Sequence, residues 1–195
     1  MSADRSTVFY GWRVVGGSFI AQLFVVGFFT YAASLLVAPV REEFGVSLEQ
    51  VMYSFMFGTF LGLILTPIAG VMLDRFDARW LMTGGAIALG AGLYWLANSR
   101  GIVEFVLVFG GTMAIANNYA GSMSASTVIS RWFTASRGRA LGIAAIGTSV
   151  GGILLPKLVA EGIALQGWRY ALEWLAYGVL VVMVPTVVLF VRGKP

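Results

Sequence analysis

Six apolar runs, each long enough to cross a lipid bilayer, occupy almost the whole of this chain: residues 14–40, 51–73, 80–98, 103–128, 141–164 and 170–191. A hydrocarbon core of about 30 Å needs roughly 20 helical residues to span it. The links between the runs are short and hold nearly all the charge. Six crossings use up the 195 residues and leave no room for a soluble domain. Inside a bilayer no water is present to satisfy backbone N–H and C=O groups, so only helices or closed barrels can span it. A barrel would show segments of about ten residues with alternating polarity, whereas these runs are continuous. The sequence therefore predicts an all-α membrane protein of six transmembrane helices. The membrane domain covers 14–191, between a cytoplasmic N-terminal segment at 1–13 and a cytoplasmic end at 192–195.

Composition narrows the chemistry. Only 11% of residues are charged, against about 25% in an ordinary soluble domain, too few for a water-facing surface. The chain has no Cys and no His. Disulfides, thiolate metal sites and the commonest general base are thereby excluded, and no enzyme activity, metal, cofactor or nucleic-acid partner is expected. The first run is too long for a signal-peptide h-region and lacks a small-residue cleavage site.

Charge placement sets an orientation. With the N-terminus inside, the inner segments hold Arg5, Arg13, Arg75, Arg79, Arg131, Arg137, Arg139, Arg192 and Lys194 against Asp4, Asp74 and Asp77, a net +6. The outer segments then carry a net −2, with Arg41, Arg100, Lys157 and Arg169 facing six acidic residues. Cytoplasmic loops carry the Lys/Arg excess, so the expectation is a multi-pass protein of the inner or plasma membrane with both termini in the cytoplasm.

The chain also repeats itself. Gly58-Thr59-Phe60-Leu61-Gly62-Leu63-Ile64-Leu65-Thr66-Pro67 in the second run matches Gly147-Thr148-Ser149-Val150-Gly151-Gly152-Ile153-Leu154-Leu155-Pro156 in the fifth at six of ten positions without a gap. Gly16, Gly17 and Gly27 of the first run share their spacing with Gly110, Gly111 and Gly121 of the fourth. Helices one to three thus echo helices four to six. Three crossings per copy invert the second copy, which gives the 3+3 inverted repeat found within each half of major facilitator transporters. Gly58, Gly62, Pro67, Gly147, Gly151 and Pro156 are expected at helix-packing positions.

The loop after the second run names a family. Gly70-Val71-Met72-Leu73-Asp74-Arg75-Phe76-Asp77-Ala78-Arg79-Trp80 resembles the G-x-x-x-D-R/K-x-G-x-R/K-R/K signature of the major facilitator superfamily. Gly70, Asp74, Arg75 and Arg79 match, while Asp77 and Trp80 depart from it. The segments 10–15 and 131–144, together with Gly167-Trp168-Arg169, resemble the monocarboxylate porter and oxalate–formate antiporter branch. Leu155 stands before Pro156 where the drug–proton exchangers have glycine. The resemblance covers the whole chain as an N-terminal six-helix half of a family with about twelve helices. It implies secondary active transport of a small solute, such as a monocarboxylate or other small organic anion, by alternating access with a second six-helix half. That half could lie in the same polypeptide, in a separate chain or in a homodimer. It also implies that Gly70, Asp74, Arg75 and Arg79 form a conformational latch, and that helices one and four line the substrate cavity.

On those helices Tyr31, Asn117, Asn118 and Ser122 are the candidate cavity residues. An amide at mid-membrane must pair or face water; bonding between packed helices is the competing reading. Lys157 could hold a carboxylate, or could pair with Glu161 at i,i+4 near the interface. No acidic residue lies at mid-membrane, so this half offers no evident proton carrier. An intramembrane Ser–His protease is excluded by the missing His, and an aquaporin by the missing Asn-Pro-Ala turns. A non-transporting six-helix protein or assembly partner is the alternative function.

Overall fold

The computed structural model describes residues 10–193. Asp4, Arg5 and Lys194, which entered the charge reading, lie outside the described residues. Six helices are long and apolar enough to cross a membrane: α1 (Gly11–Phe44), α2 (Leu48–Arg75), α3 (Ala78–Ala97), α4 (Ile102–Trp132), α5 (Arg137–Gln166) and α6 (Trp168–Phe190). Among the described residues there is no strand. The protein is an all-helical, multi-pass membrane half built of two three-helix units.

Local chemistry explains where the helices stop. α1 closes on Gly45 at φ 62, whose N–H returns to the Arg41 carbonyl; a left-handed cap of this kind favours glycine. α2 opens with a reciprocal capping box, in which Ser47 Oγ accepts from the Gln50 N–H at 3.3 Å and Gln50 Oε1 from the Ser47 N–H at 2.9 Å. α3 opens on Asp77, whose carboxylate accepts the Arg79 N–H at 2.9 Å. The departure from the signature glycine is therefore an N-cap.

Lipid gives no hydrophobic reward for helix association, so close packing and interhelical hydrogen bonds hold such a bundle together. α1 packs along α5, α2 along α4, and α3 against both α4 and α6. Exchanging the two triplets turns the α1–α5 pair into the α4–α2 pair, as the repeat requires. Both pairs are backbone-on-backbone crossings. A Cβ on Gly147 or Gly151 of α5 would collide with the carbonyl oxygen of Phe19 or Leu23 on α1, and a Cβ on Gly58 would stand 3.1 Å from Cα of Gly110. Pro67 and Pro156 lie within α2 and α5.

At the end opposite the signature loop, Arg169 ties three helices. It bonds Glu43 at 2.7 Å and the carbonyls of Ala97 and Ser99, at 2.6 and 2.7 Å. α2 and α5 keep the smallest buried share of the six and expose apolar faces that include Phe60, Leu63, Ile153 and Leu158.

Three helices lose regularity along their length. α6 carries a π-helical turn at Val179–Met183. α1 contains a π-helical turn at Gly27–Ala32 followed by a 3-10 turn at Ala33–Leu36. α4 is interrupted at Gly121, which has φ −83 and ψ −162, between segments Ile102–Ala120 and Ser122–Trp132. Gly27 and Gly121 are the glycines that the repeat places in register, so α1 and α4 carry their irregularities at matching points, whereas the π-helical turn of α6 has no counterpart in α3. A Cβ at Gly121 would collide with the Asn117 carbonyl oxygen, so the break needs glycine there.

Candidate functional site: a polar groove among α1, α4 and α5

The interruption at Gly121 turns Ser122 toward a groove of about 650 Å³ lined by Gln22 of α1, Ser122, Met123 and Ser126 of α4, and Leu141, Ala145, Thr148 and Ser149 of α5. Its centre is Gln22, only 6% exposed. Gln22 Oε1 accepts from the Ser122 hydroxyl at 3.1 Å and from the Thr148 hydroxyl at 3.3 Å. Three helices thus meet at one amide. Ser126 also lines a second, adjoining pocket with Asp74, Thr127, Ser130, Arg131 and Arg137. Ser122, Ser126 and Ser130 recur at i, i+4 and i+8, so one α4 face lines the way from the groove to the signature-loop end.

The sequence candidates fall into separate places. Of Tyr31, Asn117, Asn118, Ser122 and Lys157, only Ser122 is among the groove's lining residues. Asn118 is 7% exposed and joins α4 to α2. Its Nδ2 donates to the carbonyls of Ala114 at 2.9 Å and Gly62 at 3.3 Å, and its Oδ1 accepts from Thr66 at 2.8 Å. Asn117 is partly buried and donates to the Met113 carbonyl of its own helix at 3.1 Å. The exposed Tyr31 ring lies against Gly152. The Lys157 side chain is 74% exposed, with Nζ 4.0 Å from Glu161.

Gln22 and Thr148, which join α1 to α5 at the groove, were not among the cavity candidates read from the sequence. Two signals were available. Gln22 is the one amide in the run 14–40, and Thr148 sits inside the repeated decapeptide.

The signature loop makes a second polar site at the same end of the bundle. Arg131 of α4 donates to Asp74 at 3.0 Å and to the Leu73 carbonyl at 2.7 Å, bridging the ends of α2 and α4. Asp77 also accepts the Gly193 N–H at 3.0 Å, where the described chain leaves α6. Trp132 donates its indole N–H to the Arg192 carbonyl at 2.7 Å, and the Arg192 guanidinium lies 4.4 Å from the centre of the Tyr10 ring. A pocket of about 410 Å³ lies among Asp74, Arg75, Asp77, Arg79, Arg131 and Arg192. The partner of Asp74 was not legible in the signature loop, because Arg131 lies 57 residues further on.

An all-helical 3+3 inverted repeat, with a polar groove between its units, is an architecture found in secondary transporters. Residues 18–195 match the sequence profile of the Major Facilitator Superfamily, and the chain belongs to that family. It is similar to a galacturonate transporter of Dickeya chrysanthemi, 30% identical over 173 residues that cover 82% of this chain and 46% of the relative. It is also similar to the oxalate:formate antiporter of Oxalobacter formigenes, 27% identical over 165 residues, 82% of this chain and 38% of the relative. A third similar protein is the fujikurins efflux protein of Gibberella fujikuroi, 34% identical over 128 residues, 65% of this chain and 26% of the relative. The chain spans between about a quarter and a half of the length of these relatives.

Proposed function

We propose that this chain is one six-helix half of a secondary transporter that moves a small organic anion across a cell membrane by alternating access. Its termini face the cytoplasm, and a second six-helix half completes the cavity from the same polypeptide, a separate chain or a second copy. The observation that carries this reading is the groove. Gln22, Ser122, Ser126, Thr148 and Ser149 gather polar groups between helices whose other faces are apolar, and such residues inside a membrane mark solute paths. Relatives named for galacturonate and for oxalate and formate support an organic acid as cargo. The exposed apolar faces of α2 and α5 leave room for a second half.

In this reading Gly70, Asp74, Arg75 and Arg79 act as the conformational latch, with Arg131 as the partner of Asp74 within this half. Its ion pair lies beside the groove's path to the cytoplasm, so a conformational change that closes the path would act on it. Gly58, Gly147 and Gly151 allow close helix packing, whereas a Cβ on Gly62 would make only an ordinary contact with Asn118 at 3.7 Å. Pro67 and Pro156 lie inside α2 and α5. Asn118 holds α4 against α2, Tyr31 and Asn117 stay outside the groove's lining, and Lys157 with Glu161 lies at the outer interface.

The test is counterflow in proteoliposomes. The protein is purified from its native membrane under conditions that retain any partner, then loaded with unlabelled galacturonate or oxalate. Labelled substrate outside should enter in a saturable manner that depends on the trans anion. Absence of saturable exchange with a correctly folded preparation would favour a non-transporting assembly partner.

A further inference from the structure

We infer that the groove holds a binding subsite for a carboxylate that contains no cation, formed by the backbone N–H groups that begin the Ser122–Trp132 segment of α4 and by the side-chain amide of Gln22. The inference rests on the reading of this chain as part of a small-solute transporter and adds the chemistry by which this half would hold the cargo.

Two independent observations carry it. The first is the broken helix. α4 stops at Ala120 and restarts at Ser122, and Gly121 between them provides no side-chain cap. The first N–H groups of a helix have no partner within it. The eleven residues of the new segment span about 17 Å at 1.5 Å each, which places its start well inside the bilayer. Ser122 and Met123, the first two residues, are exposed and line the groove. Half-helix N-termini inside a membrane point at anionic substrate groups in transporters built on discontinuous helices.

The second observation is Gln22. Its side chain is more than nine-tenths buried, yet it lines the groove. Two hydroxyls, those of Ser122 and Thr148, donate to its Oε1. That pairing engages only the oxygen, and the NH2 group of this groove-lining amide has no acceptor among the described residues. A held donor without an acceptor, on a residue that lines the groove beside unpaired backbone donors, fits an acceptor that arrives from outside the chain. A carboxylate has lone pairs for both sets. No Lys or Arg lines the groove, so these donors orient the anion without neutralising it. Binding by dipoles alone stays weak enough for release, as a transport cycle requires. Ser126 and Ser149 line the same space and suit hydroxyl groups carried beside the carboxylate, so hydroxy acids and sugar acids fit best.

The test uses the full chain, isotope-labelled in lipid nanodiscs, titrated at constant ionic strength with potassium galacturonate, potassium oxalate and uncharged galactose. Both acids should shift the backbone N–H resonances of Ser122 and Met123 and the side-chain amide of Gln22 in a saturable way, and galactose should not. Gln22→Glu, which replaces the donor by an acceptor of the same shape, should weaken galacturonate at least tenfold. Ser122→Pro removes one backbone N–H while suiting the first helical position, and should weaken galacturonate more than Ser122→Ala does. If galactose moves the same resonances as strongly, the anion subsite is wrong while solute binding stands. If the acids shift only resonances away from the groove, the subsite is again wrong and solute binding stands. If no solute shifts any resonance, the subsite and the transporter reading both fall.

Discussion

Thr66 and Asn118 form the polar contact that fastens α2 to α4, and its strength can be worked out proton by proton. The Asn118 amide spends both N–H protons on carbonyls, those of Ala114 in its own helix and Gly62 across the interface. Its oxygen faces the Thr66 hydroxyl at 2.8 Å, while the same hydroxyl lies 2.7 Å from the Gly62 carbonyl. One hydroxyl proton serves two acceptors, so the Thr66–Asn118 bond is a shared one. Interhelical hydrogen bonds in membranes average about 0.6 kcal/mol and reach about 1.7. A shared bond belongs near the average, which gives a coupling of about 0.5 kcal/mol in a double-mutant cycle of Asn118→Ala and Thr66→Val. Asn118→Ala alone also loses the bond to Gly62 and should cost about 1–2 kcal/mol. Reversible unfolding of the protein in mixed detergent micelles reads both numbers. A coupling indistinguishable from zero, with Asn118→Ala neutral, would refute the assignment of Asn118 to the helix interface.

Gly147→Ala drives a Cβ into the Phe19 carbonyl and should destabilise the α1–α5 crossing by about 1–3 kcal/mol, read by the same unfolding; a neutral result would mean that the crossing is looser than described. Lys157→Gln removes an exposed i,i+4 pair at 4.0 Å and should change stability by no more than about 0.5 kcal/mol, with counterflow unchanged; loss of counterflow would place the lysine in the substrate path. Asp77→Ala deletes the cap of α3 and the bond to Gly193, for a cost of about 1 kcal/mol, and hydrogen exchange should rise in the first turn of α3.

The six helices were legible because lipid permits little else of a continuous apolar run. The repeat was legible because its glycines sit where backbones cross, and sterics allow few substitutes at Gly58, Gly147 or Gly151. The groove was less legible. A single regular helix through α4 would set Asn117, Gly121 and Ser124 on a common face. The break at Gly121 rotates the following segment, so that Ser122 and Ser126 line the groove, while Ser124 is buried with its hydroxyl on the Asn118 carbonyl. Whether an amide faces water or a neighbour depends on which helix lies beside it. Asn118 meets Thr66 because α2 packs on α4, and Gln22 meets Thr148 because α5 packs on α1. Neither pairing is written in the periodicity of a single helix.

On the proposed function, water and solute reach the space among α1, α4 and α5 from the cytoplasmic face. The chain has no native cysteine, so single cysteines at positions 126, 149 and 118 report directly. In sealed membranes of known orientation, a membrane-impermeant thiol reagent should label Ser126→Cys and Ser149→Cys from the cytoplasmic side only. Galacturonate should protect both, and Asn118→Cys should stay unlabelled. Labelling of positions 126 and 149 from the opposite side alone, or no labelling from either side, would contradict the account.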